Sequence, residues 1–447
     1  MKDDLIETVV GSVPKYWSIQ KLEEISGFIT KGGTPTTYGF DWVDESCGVP
    51  FFRSECVTDD GFNPKGMNFI SADAHQQMNR SEIKPGDLLM TITGNIGRVA
   101  RAPIHFRSAN INQHIARIRI QKGLEVCVDY VYQCLKHDGY VTHYRAILTG
   151  QAYPQISLQQ VRETPIPLPP LPEQQKIADI LTVVDDKLDV IARQIEVTQT
   201  LKQGLMQTLF SRGVGNPDAN GLWVPHTEFK NSELGEIPVG WLVTTLGAIC
   251  NGALQTGPFG SQLHAAEYQD EGVPVLMPKD LLKCRANLST AARIAPARAE
   301  ELAKHKLVAG DLLFSRRGDV ARFALIDEIS AGALCGTGCL KAKPSEGYSS
   351  AYLAHLLQLD VVRAWLEQNA VGQTMPNMNT GILASLPLIA PENKQEQEEI
   401  AGILDSIDAK TRVLFSKQLQ FQILKRGLMQ KLLTGEWRVK LASPTVV

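Results

Sequence analysis

One helical signal occurs twice in this chain. From Ile177, apolar residues advance in steps of four and three through Leu181, Val184, Leu188, Ile191 and Ile195, and resume at Leu205 and Leu209. From Ile400 the same frame reads Leu404, Ile407, Leu414, Phe421, Leu428 and Leu432, at a constant offset of 223 residues. A seam held for about four heptads predicts a coiled coil rather than an ordinary globular helix. Both seams break at equivalent places, Lys202 and Lys425, and the second puts Thr411 and Gln418 where the first has Leu188 and Ile195. The two helices are therefore predicted to pair with each other, polar steps on one facing fuller apolar layers on the other.

The surrounding sequence repeats with the seams. Val13-Pro14-Lys15-Tyr16-Trp17 is echoed by Ile237-Pro238-Val239-Gly240-Trp241, and the turn-and-strand Gly86-Asp87-Leu88-Leu89 by Gly310-Asp311-Leu312-Leu313. Gly94 to Arg98, with Gly94-Asn95 predicted as a hairpin turn, matches Gly318 to Arg322. Tyr130 to Leu135 lies in a predicted helix and matches Tyr352 to Leu357; the polar loop Gly150 to Gln155 matches Gly372 to Asn377. Pro165 to Pro172 is proline-rich, an extended lead-in that cannot be helix interior. A period above 200 residues is domain duplication, not a solenoid. The predicted order is a globular block (1–168), a long helix (169–213), a linker (214–234), a second block (235–389), a second long helix (390–435) and a tail (436–447). The fold class is α+β: two globular blocks of mixed strands and helices joined by two long helices in an antiparallel coiled coil, with a pseudo-twofold internal repeat. Loop content differs between blocks, Thr91-Ile92-Thr93 against Ser315-Arg316-Arg317, so the blocks should do two variants of one task.

At 43% hydrophobic residues and a mean hydropathy of −0.11 the chain can bury real cores. It has no apolar run long enough for a membrane span, and Met1 to Asp4 does not lead into a secretion signal. Eight cysteines are scattered without a Cys-x-x-Cys, which argues against zinc or a disulfide framework and fits a reducing, cytoplasmic setting. Net charge is −3; a protein that held DNA alone would be basic, so any DNA-binding cations are local or a partner supplies the rest.

Catalytic signatures are missing. There is no phosphate-binding loop and no amino-methyltransferase signature. Glu82-Ile83-Lys84 with Asp59, Asp60 or Asp73 imitates a nuclease triad, but Lys84 belongs to a turn. His137, His143, Cys127 and Cys134 read as core or surface residues. On the strand His114 to Ile120, Arg117 and Arg119 share one face and read as cations shown to water. A binding reading fares better. Glu173 to Ser211 spans about 58 Å at ~1.5 Å per residue, which accommodates two DNA half-sites roughly 34 Å apart.

Leu168-Pro169-Pro170-Leu171-Pro172-Glu173-Gln174-Gln175-Lys176-Ile177-Ala178, with its counterpart from Pro387 to Ala401, resembles the opening of the conserved regions in specificity subunits of type I restriction–modification enzymes. The tandem Gly-Asp-Leu-Leu, the loops at Gly150 and Gly372, and Ser232 to Trp241 are similar to that family's target-recognition domains. The second lead-in is longer by three residues and less proline-rich. The resemblance implies a non-catalytic, DNA-binding subunit. Each recognition domain would read one half of a bipartite target in double-stranded DNA, and the helices would set the spacer and bind two modification (methyltransferase) subunits. Restriction subunits with translocase and nuclease activity would join them. It implies no cofactor in this chain, with S-adenosylmethionine, ATP and Mg2+ in the partners. Two other readings stay open: a protein-only scaffold with two adaptor heads, and a standalone restriction enzyme.

Sequence readout needs donors and acceptors presented from loops, such as Arg on guanine and Asn or Gln on adenine. The candidates in the first block are Thr34, Arg53, Asn95, Arg98, Gln113, His114, Gln151, Tyr153 and Gln155. In the second they are Gln255, Ser261, Lys279, Arg316, Arg317, Arg322, Gln373, Asn377 and Asn379.

Overall fold

A computed structural model describes residues 4–106, 108–149, 154–232, 234–258, 262–372 and 376–440. It divides into two compact units. The first holds the residues up to Ala192 and those from Ser416 on; the second runs from Arg193 to Phe415. Each long helix, Leu171–Arg212 and Lys394–Leu432, contributes one half to each unit. Residues 390–391, expected in the second helix, lie instead in the strand Pro387–Pro391.

In the first unit, four antiparallel strands are ordered Val99–Arg101, Leu88–Thr91, Ile115–Ile120, Ser26–Lys31. Leu88–Thr91 is buried on both faces because the sheet is covered twice. Leu88 and Met90 pack with Ile118, Tyr130, Tyr140, Ile177 and Leu181 on the helical side. Leu89 and Ile115 pack with Phe52 and Ile111 of a second sheet, ordered Asn68–Ile70, Val49–Phe52, Ala109–Ile111, Glu82–Ile83. That second sheet overturns one expectation. Arg117 and Arg119 do share a face, but neither is a cation simply shown to water. Arg117 is 2% exposed, and Arg119 is held by Asp87 through two hydrogen bonds of 2.7 Å.

The second unit repeats the plan with more strands in one sheet, ordered Leu254–Thr256, Cys339–Ala342, Leu312–Ser315, Phe323–Leu325, Cys284–Ala286, Leu281–Leu282. Again alternate residues of the central strand face two cores: Leu312 and Phe314 join Tyr352, Ile400 and Leu404, while Leu313 joins Leu276 and Cys335. The proline-rich lead-ins are strands, Pro165–Leu168 against Ser18–Lys21 and Pro387–Pro391 against Trp241–Thr245. Two-stranded ribbons tolerate proline because each partner has a free edge.

Each head is fastened to its helix by a buried glutamine. Gln174 Nε2 donates to Pro169 O at 2.7 Å and Glu125 O at 3.1 Å, and its Oε1 accepts from Cys127 N at 2.8 Å. Gln397 does the same with Pro391 O, Gly347 O and Ser349 N. Both are at most 1% exposed, and satisfying donors and acceptors together is what makes a buried amide tolerable. The glutamates beside them hold the chain that leaves the other helix. Glu396 accepts from Val214 N, Gly215 N and Trp241 Nε1 and bonds His226 Nε2 at 2.9 Å. Glu173 accepts from Arg438 Nε at 3.2 Å.

The seam breaks have partners across the helix pair. In the second unit Lys202 Nζ lies 2.7 Å from Asp408; in the first, Lys425 Nζ lies 2.6 Å from Asp185. The helices therefore run antiparallel in each unit, and the two ion pairs are images of one another under the 223-residue repeat. Burial, with Lys136 nearby, holds the Lys425 ammonium below the usual lysine range although Asp185 opposes that shift. Asp185→Ala should destabilise the first unit by about 1–3 kcal/mol, since it strands a mostly buried ammonium. Lys425→Met combined with Asp185→Leu should recover most of that loss. Urea unfolding of the full chain checks both; equal losses in the single and double variants would refute the pairing.

Candidate nucleic-acid interface

In the first unit four loops meet at one end of the sheet. Gly32 N donates to Asn112 O at 3.1 Å, and a side chain at Gly32 would bring its first carbon within 1.6 Å of Ile111 O, so only glycine allows the approach. Ile92 N donates to His114 O, Ile156 N to Ile92 O, and Thr93 bridges Gln155. On this frame a chain of side-chain bonds forms. Thr34 Oγ1 donates to Gln113 Oε1 at 2.8 Å, Gln113 Nε2 meets His114 Nε2 at 3.0 Å, and His114 Nδ1 meets Thr93 Oγ1 at 2.6 Å. Thr34, Gln113, His114 and Gln155 are thus gathered, although 79 residues separate the first two. Asn95 is exposed at the tip of the hairpin, where its carbonyl accepts from Thr91 Oγ1.

Two cations of the first unit are already paired. Arg53 follows Val49–Phe52 at the end where Asn112 leaves the parallel strand Ala109–Ile111, and its guanidinium lies 2.8 Å from Glu55. Arg98 makes a two-pronged contact with Asp59, 3.0 and 2.8 Å. Of the residues that imitate a nuclease triad, Asp59 is thereby engaged by Arg98, while Glu82 lies 3.7 Å from Lys84. Among the described residues no group of three or more His, Cys, Asp or Glu side chains could hold a metal ion.

The second unit builds the same junction from different side chains. Gly257 N donates to Cys339 O, and a side chain at Gly257 would bring its first carbon within 1.9 Å of Gly336 O. Arg316 N donates to Gly338 O, Met378 N to Arg316 O, and Arg317 bridges Asn377. The Arg317–Asn377 bridge is the repeat of Thr93–Gln155. Arg316 Nε and Asn377 Oδ1 are both buried without a partner among the described residues. Gln255 meets His305 Nδ1 at 3.3 Å; burial, with Lys304 and Lys341 nearby, pushes that ring below the ordinary histidine value and favours the neutral acceptor. Lys279 is exposed, next to Pro278, whose carbonyl accepts from Arg322 at 3.2 Å. Asn379 serves as a helix cap, its side chain accepting from Ile382 N at 2.8 Å. Gln151, Tyr153, Ser261 and Gln373 lie outside the described residues. Thr93 and His305 were not among the sequence candidates; the repeat offset from Arg317 points to Thr93, while nothing in the sequence pointed to His305.

The model of the type I restriction modification DNA specificity domain matches the chain twice, over residues 14–199 and 238–423. The chain belongs to the type I restriction–modification specificity family. Both matches begin at the first strands of a globular head and end inside a long helix, so the family domain is one head plus the greater part of one helix. The chain is 27% identical to the type I restriction enzyme MjaVIII specificity subunit of Methanocaldococcus jannaschii, over 96% of this chain and 94% of that one. It is 23% identical to the MjaIX specificity subunit of the same organism, over 97% and 96%. The crystal structure of the type I S subunit from M. genitalium shares the fold at a TM-score of 0.59, with 15% identity over 95% of this chain and 97% of that one. Within this specificity subunit, Asn379→Ala should act on the fold alone. Losing the cap should cost about 0.5–2 kcal/mol of stability, read as a lower thermal midpoint of the second unit, with the DNA motif that is recognised unchanged.

Proposed function

We propose that each unit reads one half of a bipartite DNA target, through the four-loop edge at the end of its sheet, and that this chain itself catalyses nothing. The observation that carries the reading is the repeated junction with unlike side chains: Thr93 on Gln155 in one unit, Arg317 on Asn377 in the other. A constant frame with exchangeable polar groups is what two readers of different half-sites require, since base edges are told apart by donor and acceptor pattern. Beside that junction Arg316 Nε and Asn377 Oδ1 are buried with no partner among the described residues.

Partners follow from the helices. Val183, Val190 and Val197 recur every seven residues, outside the seam, and are 47–67% exposed; Leu419 and Ile423 of the second helix are 58% and 62% exposed. Exposed apolar residues recurring on the helices suit docking of protein partners, and they support the binding of two modification subunits that use S-adenosylmethionine to methylate adenine. Restriction subunits, with ATP and Mg2+, would join that core. A net charge of −3 suits a reader whose partners share in neutralising the phosphates. No helix among the described residues is long and apolar enough to cross a membrane, in keeping with a cytoplasmic complex.

Replacing Arg316 and Arg317 with Ala should weaken binding to the second half-site by roughly 1–3 kcal/mol per lost base contact and leave the first half-site unaffected. Competition binding by the assembled complex, with duplexes altered in one half at a time, measures this. Unchanged discrimination in the second half would remove these arginines from the reading edge.

A further inference from the structure

A basic pocket in the first unit takes no part in the reading edge. It is an open cavity of about 600 Å³ lined by Phe28, Arg80, Glu82, Arg117, Arg119 and Lys122. Arg117 forms its floor. This side chain is 2% exposed and its guanidinium carbon lies 4.7 Å from the centre of the Phe28 ring. One terminal nitrogen donates to Glu82 O, while Nε is buried with no partner among the described residues. Burial, then the neighbouring Arg119, holds this guanidinium below the usual arginine range, although Asp87 and Glu82 oppose that shift. Arg119 is committed to Asp87. Arg80 and Lys122 are exposed on the rim, and among the described residues neither has an ion-pair partner. Four cations thus face two carboxylates, Glu82 and Asp87, a surplus of two positive charges.

Among the described residues the equivalent strand position of the second unit has no such arrangement. Lys341 pairs with Gln255 across the sheet as Arg117 pairs with Thr30. Its ammonium is satisfied by two backbone carbonyls, Lys304 O at 3.3 Å and Lys306 O at 3.1 Å. The pocket therefore belongs to one unit and not to the repeated scaffold.

We propose that this pocket is a phosphate-binding site, with Arg117 contacting the oxygens from below and Arg80 and Lys122 closing over them. A guanidinium with an unused N–H matches phosphate geometry better than an ammonium would, and the half-exposed Phe28 ring offers a face for a base or sugar attached to the phosphate. The phosphate has two possible sources. Arg117 lies three residues from His114 on one strand, roughly 10 Å, so the backbone of a duplex held at the reading edge is one; a free phosphate ester is the other.

The test uses the full-length chain and the double variant Arg80→Gln, Lys122→Gln, whose exposed positions leave the fold intact. Calorimetry with inorganic phosphate at constant ionic strength should show binding to the unaltered chain, with a dissociation constant raised about tenfold or more in the variant. In parallel, the slope of log affinity against log salt is measured for duplex DNA. A slope reduced by about one to two in the variant assigns the phosphate to the DNA backbone. An unchanged slope, with inorganic phosphate binding lost, assigns it to a free ester. If the variant alters neither, the pocket is not a phosphate site, whatever the standing of the reading edge.

Discussion

Two lysines placed in an apolar seam set the alignment on which the rest of this molecule depends. A charged group at a seam position costs stability, but it tolerates only the register in which a counter-charge faces it. Lys202 finds Asp408 and Lys425 finds Asp185. A slip of one heptad along either helix would bury both ammonium groups unpaired. Leucine at the same places would pack more tightly yet permit several registers. Because the two pairs are images under the duplication, one choice of register serves both units.

From that register the heads are positioned by short, fully satisfied joints. Gln174 and Gln397 stitch the first helical turn to the lead-in strand and to the start of a helix in the head. Tyr130 and Tyr352 donate to lead-in carbonyls at equivalent places, Pro167 O and Ile389 O. These contacts use backbone atoms and residues outside the reading loops. The loops can therefore change their side chains while the frame that carries them stays the same, which is what the proposed reading of two unlike half-sites requires.

Much of this was legible in the sequence, for identifiable reasons. The long helices were legible because a 4-3 period over many turns has few other causes, and the duplication because it preserved glycines, prolines and turn aspartates. The breaks at Lys202 and Lys425 were visible, but their partners were not. Asp185 and Asp408 look like ordinary surface carboxylates until the antiparallel pairing brings them across. Arg117 was misread because strand alternation says which residues share a face, not how far each is buried there. The chain from Thr34 through Gln113 and His114 to Thr93 was only partly visible, since its members are far apart and meet only when the loops converge. Asn379 shows the opposite limit: a polar residue in a loop serves helix capping as readily as readout.

The most direct measurement is a map of methylated adenines across the genome of cells that carry the complete system, with and without this gene. Two unlike readers on a duplicated scaffold predict the loss of one motif with two short specified halves, of different sequence, separated by a fixed unspecified gap. Survival of every methylated motif, or loss of an uninterrupted or palindromic one, would contradict that prediction.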